Sequence, residues 1–175
     1  MLRQFGGRFL IRFFYYLFVF LFLQTSVLFS QSFPILMGDS LSGDRLSLPL
    51  KGHVQVLILG FDMASADPMA SWQQVFQNTN ILVYQVPIIG GVPPFVDGFI
   101  KNGMKKSVPK SLHAAYMPYF GNKFKVMDAV SNTGALADKV TPFIFVFNKK
   151  QKVLLQFQAN VSTQNVLQVK KAISR

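Results

Sequence analysis

Two apolar segments joined by a helical pattern constrain the fold of this chain more than any other feature. Residues 53–61, with the sequence HVQVLILGF, are a nearly continuous run of apolar side chains, which predicts a strand buried on both faces. Residues 81–89 predict a second strand. The intervening residues 68–78 predict a helix with Asp67 as its N-cap and Pro68 at its first position. Its large apolar side chains fall at helical spacing: Met69, Trp72, Val75 and Phe76. A strand, a helix and a strand in this order predict a right-handed parallel crossover.

The segments on either side of this unit predict how the sheet is completed. Residues 33–52 contain glycines and alternating leucines, which indicates a small hairpin ending in a turn. After the second strand we expect a helical insert at about 92–121, with Phe95, Phe99, Ile100 and Met104 on one side. A short strand over 124–127 should follow the insert. The chain should then form a strand over 143–148, its hairpin partner over 153–158 and a helix beginning at Ser162. The predicted fold class is α/β, with a mixed central sheet and helices on both faces.

The first 31 residues have the pattern of a targeting segment, which leaves residues 32–175 for one domain of ordinary size. Three arginines and no acidic residue precede the unbroken apolar run of residues 13–23, and a polar stretch with small residues follows. This order predicts a secretory signal peptide, and an uncleaved membrane anchor is the main alternative. Both place the domain outside the cytoplasm, as an exported, periplasmic or secreted protein. A mitochondrial presequence is the lesser alternative, because such segments are amphipathic.

The charge of the chain is strongly positive, with a formal net charge of +11 and seven acidic residues that are all aspartate. Six lysines lie between Asp97 and Asp128 with no acidic residue among them. Of these, Lys105, Lys106 and Lys110 predict a cationic face on the insert, suited to an acidic protein segment or to an anionic membrane surface. A solvated charged surface is the other interpretation. We expect no nucleic-acid partner, because export separates the domain from nucleic acid and no recognition motif is present.

The absence of cysteine determines which chemistry this chain lacks. Disulfide exchange and thiol peroxidase activity both require a thiolate, so neither reaction is available. As a nucleophile, Ser65 would need a histidine base and an orienting acid, and the only histidines are His53 and His113. The histidines and scattered aspartates also lack the spacing of metal ligands. The sequence therefore predicts a protein that is not an enzyme and that needs no metal or cofactor.

Three features resemble thioredoxin-fold proteins of the peroxiredoxin and thiol-disulfide branches. The first is the opening hairpin of residues 33–52 before the strand VQVLILGF. The second is the loop of residues 62–67, which stands where that superfamily has its CxxC pair or peroxidatic cysteine. The third is Thr141 followed by Pro142 directly before an aromatic strand, in the place of the superfamily's cis-proline. The resemblance implies a thioredoxin-like fold.

A closer resemblance lies in the insert. Residues 99–109, with the sequence FIKNGMKKSVP, and the following His113 are similar to the thioredoxin-like assembly-factor family for mitochondrial ATP synthase. The likeness extends over most of residues 53–158. Members of that family help a membrane complex to assemble and are not redox enzymes, so the resemblance implies a binding protein with a protein client. Because the leader looks secretory, an exported relative would have a different client.

The candidate partner-binding site combines the loop after the first strand, the basic insert and the segment before the aromatic strand. Its residues are Asp62, Ser65, Asp67, Gly103, Met104, Lys105, Lys106, Pro109, His113, Thr141 and Pro142. Two other functions stay open from the sequence. They are an enzyme that uses non-thiol polar chemistry and a structural subunit of an envelope complex.

Overall fold

Six strands in two sheets occur in the described part of this computed structural model, which comprises residues 33–131, 136 and 138–174. They are β1 (Leu36–Asp39), β2 (Arg45–Leu48), β3 (Gln55–Gly60), β4 (Leu82–Pro87), β5 (Phe143–Phe147) and β6 (Val153–Gln158). β1 and β2 form the predicted opening hairpin, and the other strands form a mixed sheet in the order β4-β3-β5-β6. β3 and β4 are parallel, whereas β5 is antiparallel to both β3 and β6. The parallel pairing of the predicted crossover and the terminal hairpin are confirmed.

Helices cover both faces of the sheet, as the sequence predicts. The α-helices of the described residues are α1 (Ala66–Phe76), α2 (Pro94–Ser107), α3 (Lys123–Val130) and α4 (Thr163–Ile173). On one face, α1 and α4 pack against the strands through Trp72, Phe76 and Val169. On the other face, α3 and the β1–β2 hairpin pack against β5 through Val126 and Leu36. α2 contains no buried residue, which sets it apart from the other helices.

The start of α1 differs from the prediction. The helix begins at Ala66, so Asp67 lies in its first turn and is not its N-cap. The cause is a 3₁₀ turn, Met63–Ser65, which Asp62 begins by accepting a backbone N–H hydrogen bond at 2.9 Å. That turn runs directly into the helix. Pro68 still falls in the first helical turn, where backbone N–H groups have no intrahelical acceptor.

Residues 124–127 belong to a helix, so the short strand predicted there is wrong. Asn122 is the N-cap, because its side-chain oxygen accepts a hydrogen bond from the N–H of Lys125 at 3.1 Å. Val126 and Val130, four residues apart, are buried on the same helical face. The apolar residues at alternate positions fit a short strand equally well, and the cap and the second valine favour the helix.

The peptide bond between Thr141 and Pro142 is trans, which contradicts the cis-proline expected from the resemblance. Within the described residues the cis peptide bond is Leu48-Pro49, at the end of the opening hairpin. Asp138 determines how the chain approaches β5, since its Oδ1 accepts hydrogen bonds from the N–H groups of Val140 (2.8 Å) and Thr141 (3.1 Å). Hydrogen bonds from Thr141 and Val140 lower the pKa of Asp138 below its ordinary value.

The apolar side chains of α2 lie on two faces rather than on the one side predicted. Phe95 and Phe99 are 85% and 81% exposed, whereas Ile100 and Met104 are half-buried. An α-helix turns about 100° per residue, so Met104 lies roughly 180° around the axis from Phe95. The exposed residues form an outer face (Phe95, Gly98, Phe99, Asn102, Gly103, Lys105 and Lys106), and the half-buried residues form an inner face (Val96, Asp97, Ile100, Lys101 and Met104).

The insert predicted at about 92–121 consists of α2, a 3₁₀ turn at Lys110–Ala115 and an extended end. In that end, Tyr116 and Tyr119 form isolated parallel bridges to β4 and its continuation. The side chains of Tyr116, Met117 and Tyr119 are all buried. The insert is therefore fastened along the edge of the sheet at β4.

The predicted leader, residues 1–31, lies outside the described residues. Its identity as a signal peptide or an anchor stays a prediction, as does the division of the chain at residue 32. Across the ranges that the structure describes, every helix is too short or too polar to cross a membrane.

Candidate functional site

A cleft of about 380 Å³ opens where β3 and β4 end, beside the 3₁₀ turn Met63–Ser65. The carboxyl ends of parallel strands are the usual position of binding sites in α/β sheets. The residues that line the cleft come from the end of β3, from α1, from the segment after β4 and from the C-terminal part of α2. Most of the lining is apolar, and its apolar residues include Phe61, Met63, Met69, Ile88, Ile89 and Met104.

Ser65 lies under the cleft, and its hydroxyl group is already engaged. The residue is 1% exposed, and Oγ donates a hydrogen bond to the carbonyl oxygen of Asp62 at 2.5 Å. Gly60 makes this arrangement possible, because a Cβ atom at that position would overlap Ser65 Oγ and Met69 Sδ. The missing side chain of Gly60 thus allows the start of α1 to pack tightly against the end of β3.

Three methionines give the cleft an adaptable surface. Met69 is buried, Met104 is half-buried on the inner face of α2, and Met63 is 93% exposed beside the cleft. Methionine is unbranched and polarizable, so it fits apolar groups of different shapes and is common at surfaces that bind varied partners. The arrangement favours an apolar group as the ligand.

A few polar groups also reach the cleft. Lys123 Nζ donates a hydrogen bond to the carbonyl oxygen of Phe61 at 3.4 Å, which joins the start of α3 to the end of β3. Tyr116 is buried, and this burial raises the pKa of its phenol, so the group is neutral at physiological pH. The cleft therefore offers one ammonium group from Lys123 and one carboxylate from Asp62 in an otherwise mostly apolar wall.

The chemistry available at this site is limited. The hydroxyl of Ser65 donates to a carbonyl oxygen, so a base does not activate it as a nucleophile needs. His113 Nε2 lies 3.0 Å from the carbonyl oxygen of Val108; because a carbonyl only accepts, Nε2 carries the proton and the ring braces the turn after α2. No group of three or more potential metal-ligating side chains occurs in the part of the chain described.

Three of the predicted site residues line the cleft together: Asp62, Ser65 and Met104. Asp67 does not line it and is exposed in the first turn of α1. Three others are exposed on the outer face of α2 and do not line the cleft: Gly103, Lys105 and Lys106. Neighbouring residues of a helix point in different directions, so a continuous sequence block does not form one surface.

The other four predicted residues lie beyond the cleft. Pro109 is exposed before the 3₁₀ turn that contains His113. Pro142 is buried at the start of β5, and the carbonyl oxygen of Thr141 accepts a hydrogen bond from Gln158 Nε2 at 2.9 Å. These contacts stabilise the insert and the β5–β6 hairpin, and none of the four residues contributes to the cleft wall.

Sequence reasoning missed most of the cleft wall, including Phe61, Ile88 and Lys123. Gly60 carried a usable signal, because a glycine at the end of a buried strand indicates close approach of another part of the chain. Lys123 carried no such signal, because it is 62 residues from Phe61 in the sequence and the two meet only in the folded chain.

Comparison with known proteins shows similarity at the level of three-dimensional structure. No protein-family profile matches the sequence, and no curated protein matches it significantly. BsSco, a member of the Sco family of cytochrome c oxidase assembly proteins, is 17% identical with a TM-score of 0.55, over 82% of this chain and 94% of its own. The exposed lipoprotein thioredoxin Etrx1 of Streptococcus pneumoniae is 15% identical with a TM-score of 0.54, over 79% and 98%. A thio-disulfide isomerase from Thermus thermophilus is 13% identical with a TM-score of 0.51, over 80% and 92%.

These similarities define the class of the domain. It has a thioredoxin-like fold, with a central mixed sheet between helices, and so confirms the broader resemblance drawn from the sequence. The cysteine-free cleft lies at the loop where that resemblance places the catalytic thiols. The closer likeness of residues 99–109 to the ATP synthase assembly-factor family stays a prediction.

Proposed function

We propose that this protein is a non-catalytic thioredoxin-like binding protein that assists the assembly of a membrane or envelope protein complex. The cleft beside α1 is the observation that carries the proposal. Where the resemblance places a reactive thiol, this chain has the buried Ser65 and an apolar wall that includes Met69 and Met104. Such a site binds apolar groups and has no thiolate for disulfide exchange.

The size of the cleft suits one or two apolar side chains of a protein client. Its volume of about 380 Å³ lies at the small end of the usual range for binding pockets, roughly 300–1,000 Å³. Met63 and Met104 can adjust to the shape of the bound side chain. Lys123 and Asp62 supply opposite charges that can contact the polar backbone of an extended client segment.

The leader and the structural neighbours support a client at a membrane. A signal peptide or an anchor in residues 1–31 would place the domain outside the cytoplasm, in the periplasm or secreted. By their descriptions, BsSco belongs to a family of oxidase assembly proteins and Etrx1 is an exposed lipoprotein. The block of residues 99–109 resembles an assembly-factor family for mitochondrial ATP synthase, so a mitochondrial location is the alternative. The proposed function requires a protein partner and no cofactor.

Affinity capture from solubilised membranes tests this function with three tagged proteins: the wild type, Met104→Glu and Leu167→Glu. Leu167 is 60% exposed on α4, so its substitution adds the same charge away from the cleft. We expect the wild type and Leu167→Glu to capture one membrane complex. Met104→Glu should lose it, because a charged carboxylate in the mostly apolar wall disfavours binding of an apolar group. Capture that survives Met104→Glu, or a wild type that captures no complex, would contradict the proposal.

A further inference from the structure

The outer face of α2 presents two phenylalanine side chains to solvent. Phe95 is 85% exposed and Phe99 is 81% exposed. The two residues are four positions apart, so their rings lie on the same stripe of the helix, about one turn from each other. Large apolar side chains exposed side by side mark interaction surfaces more often than inert ones.

Two lysines on the same face add positive charge next to these rings. Lys105 and Lys106 are exposed in the last turn of α2. Both ion pairs found in the described residues are made by Asp39 with other cations, so neither of these lysines has an ionic partner there. Along the chain, no acidic residue follows Asp97 until Asp128. The outer face is therefore both aromatic and cationic.

Two glycines make this face smooth. A Cβ atom added at Gly98 or Gly103 would meet no other atom within 4 Å, so packing inside the domain does not require either glycine. Glycine in the interior of a helix is less stable than alanine. Both glycines lie beside the exposed rings, where the absence of a side chain lets an external surface approach the helix backbone closely.

We infer that the outer face of α2 lies on an anionic membrane surface. Phe95 and Phe99 enter the boundary between headgroups and acyl chains, and Lys105 and Lys106 contact anionic headgroups. A bilayer accounts for all three features, because it accepts apolar rings, attracts cations and requires no shaped groove. The anchor predicted in residues 1–31 is a second reason to expect the domain at a membrane.

This surface is distinct from the cleft and goes beyond the proposed function. Met104 on the inner face lines the cleft, whereas Phe95, Phe99 and Lys106 project from roughly the opposite side of the same helix and Lys105 from its flank. A client can therefore occupy the cleft while the outer face lies on lipid. Either interaction can fail in an experiment without loss of the other.

Fluorescence of a tryptophan placed on the outer face tests the inference directly. The full chain carrying Phe99→Trp is reconstituted with vesicles of phosphatidylcholine alone, or of phosphatidylcholine mixed with phosphatidylglycerol, in both cases with brominated acyl chains that quench indole. The native Trp72 is fully buried, so its emission gives a constant background. Leu167→Trp, at an exposed position on α4, is the matched control. Phe95→Trp is a second probe of the same face, in case the first substitution disturbs folding.

We expect bromolipid quenching of Phe99→Trp in the anionic vesicles and none of Leu167→Trp. Lys105→Gln combined with Lys106→Gln should lower the membrane-binding constant of this face on the order of 30-fold, at about fivefold for each positive charge removed. Equal quenching of the two tryptophans would overturn the inference. So would a blue shift of Phe99→Trp without vesicles, which would mean that the leader or a second copy covers the face. A blue shift of Phe99→Trp that appears only when lipid-free envelope proteins are added would overturn the inference in favour of a protein partner.

Discussion

Lys101 on α2 donates a hydrogen bond to Asp39 on β1, with 3.1 Å between Nζ and Oδ2. Arg45 on β2 binds the other oxygen of the same carboxylate at 3.0 Å. The side chain of Lys101 is 24% exposed, and its ammonium group also lies 5.8 Å from the centre of the Phe120 ring. Because α2 has no buried residue, this ion pair is a specific contact that joins the helix to the opening hairpin.

Substitution of Lys101 should loosen α2 without unfolding the protein. Lys101→Met keeps the apolar stem and removes the ion pair with Asp39. We expect faster hydrogen exchange of the α2 amides, whereas the free energy of unfolding should fall by at most about 1 kcal/mol, as is typical of exposed ion pairs. Lys105→Met, in the same helix but without an ionic partner in the described residues, is the control and should leave exchange unchanged. Equal exchange in both variants would show that the pair does not hold α2.

The pH dependence of stability should contain a contribution from Asp39. Hydrogen bonds from Arg45 and then Lys101 hold the pKa of this carboxyl below its ordinary value of 3.8. A carboxyl whose pKa is lower in the folded protein stabilises the fold above 3.8, and this contribution is lost as the pH falls through the folded value. In Asp39→Asn, the free energy of unfolding should therefore decline less steeply in that acidic range than in the wild type. Denaturant unfolding at several pH values measures the difference, and parallel curves would contradict it.

Two glycine substitutions should change stability in opposite directions. Gly60→Ala would place a Cβ atom against Ser65 Oγ and Met69 Sδ in a packed region, so we expect a loss of about 1–3 kcal/mol in the free energy of unfolding. Gly103→Ala faces open space in the middle of α2 and should increase local helix stability by about 0.5–1 kcal/mol. Urea titrations of the two variants check the first value, and hydrogen exchange in α2 checks the second. A fully stable Gly60→Ala variant would disprove the close packing described at the cleft.

The hydroxyl of Ser65 should matter for folding rather than for chemistry. Ser65→Ala removes the hydrogen bond to the Asp62 carbonyl oxygen in a buried position, so we expect a loss of about 1–2 kcal/mol in the free energy of unfolding. Ser71→Ala is the matched control, because its hydroxyl donates to a backbone carbonyl of the same helix on the exposed side. That variant should change stability by less than about 0.5 kcal/mol. Equal effects of the two changes would show that the Ser65 hydrogen bond has no special structural role.

The sheet and α1 could be predicted from the sequence because their patterns are long and regular. The run of residues 53–61 allows few structures other than a buried strand, and Trp72 and Phe76 fix the inward face of the helix after it. Residues 124–127 were too short for such a decision, and the structure assigns them to α3 through the Asn122 cap. The secondary structure of a short segment depends more on its capping residues and tertiary contacts than on the periodicity of its apolar residues.

The candidate site could be predicted only in part, because it is built from contacts between distant parts of the chain. The predicted loop after β3 does line the cleft, through Asp62 and Ser65, and its role in binding a partner stays a prediction. The block that contains Met104, Lys105 and Lys106 was treated as one surface, yet helix geometry divides it between the cleft and the outer face. The pairing of Lys101 with Asp39 spans 62 residues and has no local signal in the sequence.

Photo-crosslinking from the cleft tests the central claim of a client-binding site most directly. A photoreactive amino acid replaces Met63, which is 93% exposed beside the cleft, or Leu167 on α4 as the control. After irradiation of intact membranes, we expect one subunit of a membrane complex to be linked to position 63 and not to position 167. Addition of Met104→Glu to the position 63 variant should abolish that product. The same products from both positions, or a position 63 product that persists with Met104→Glu, would contradict the claim that this cleft binds a protein client.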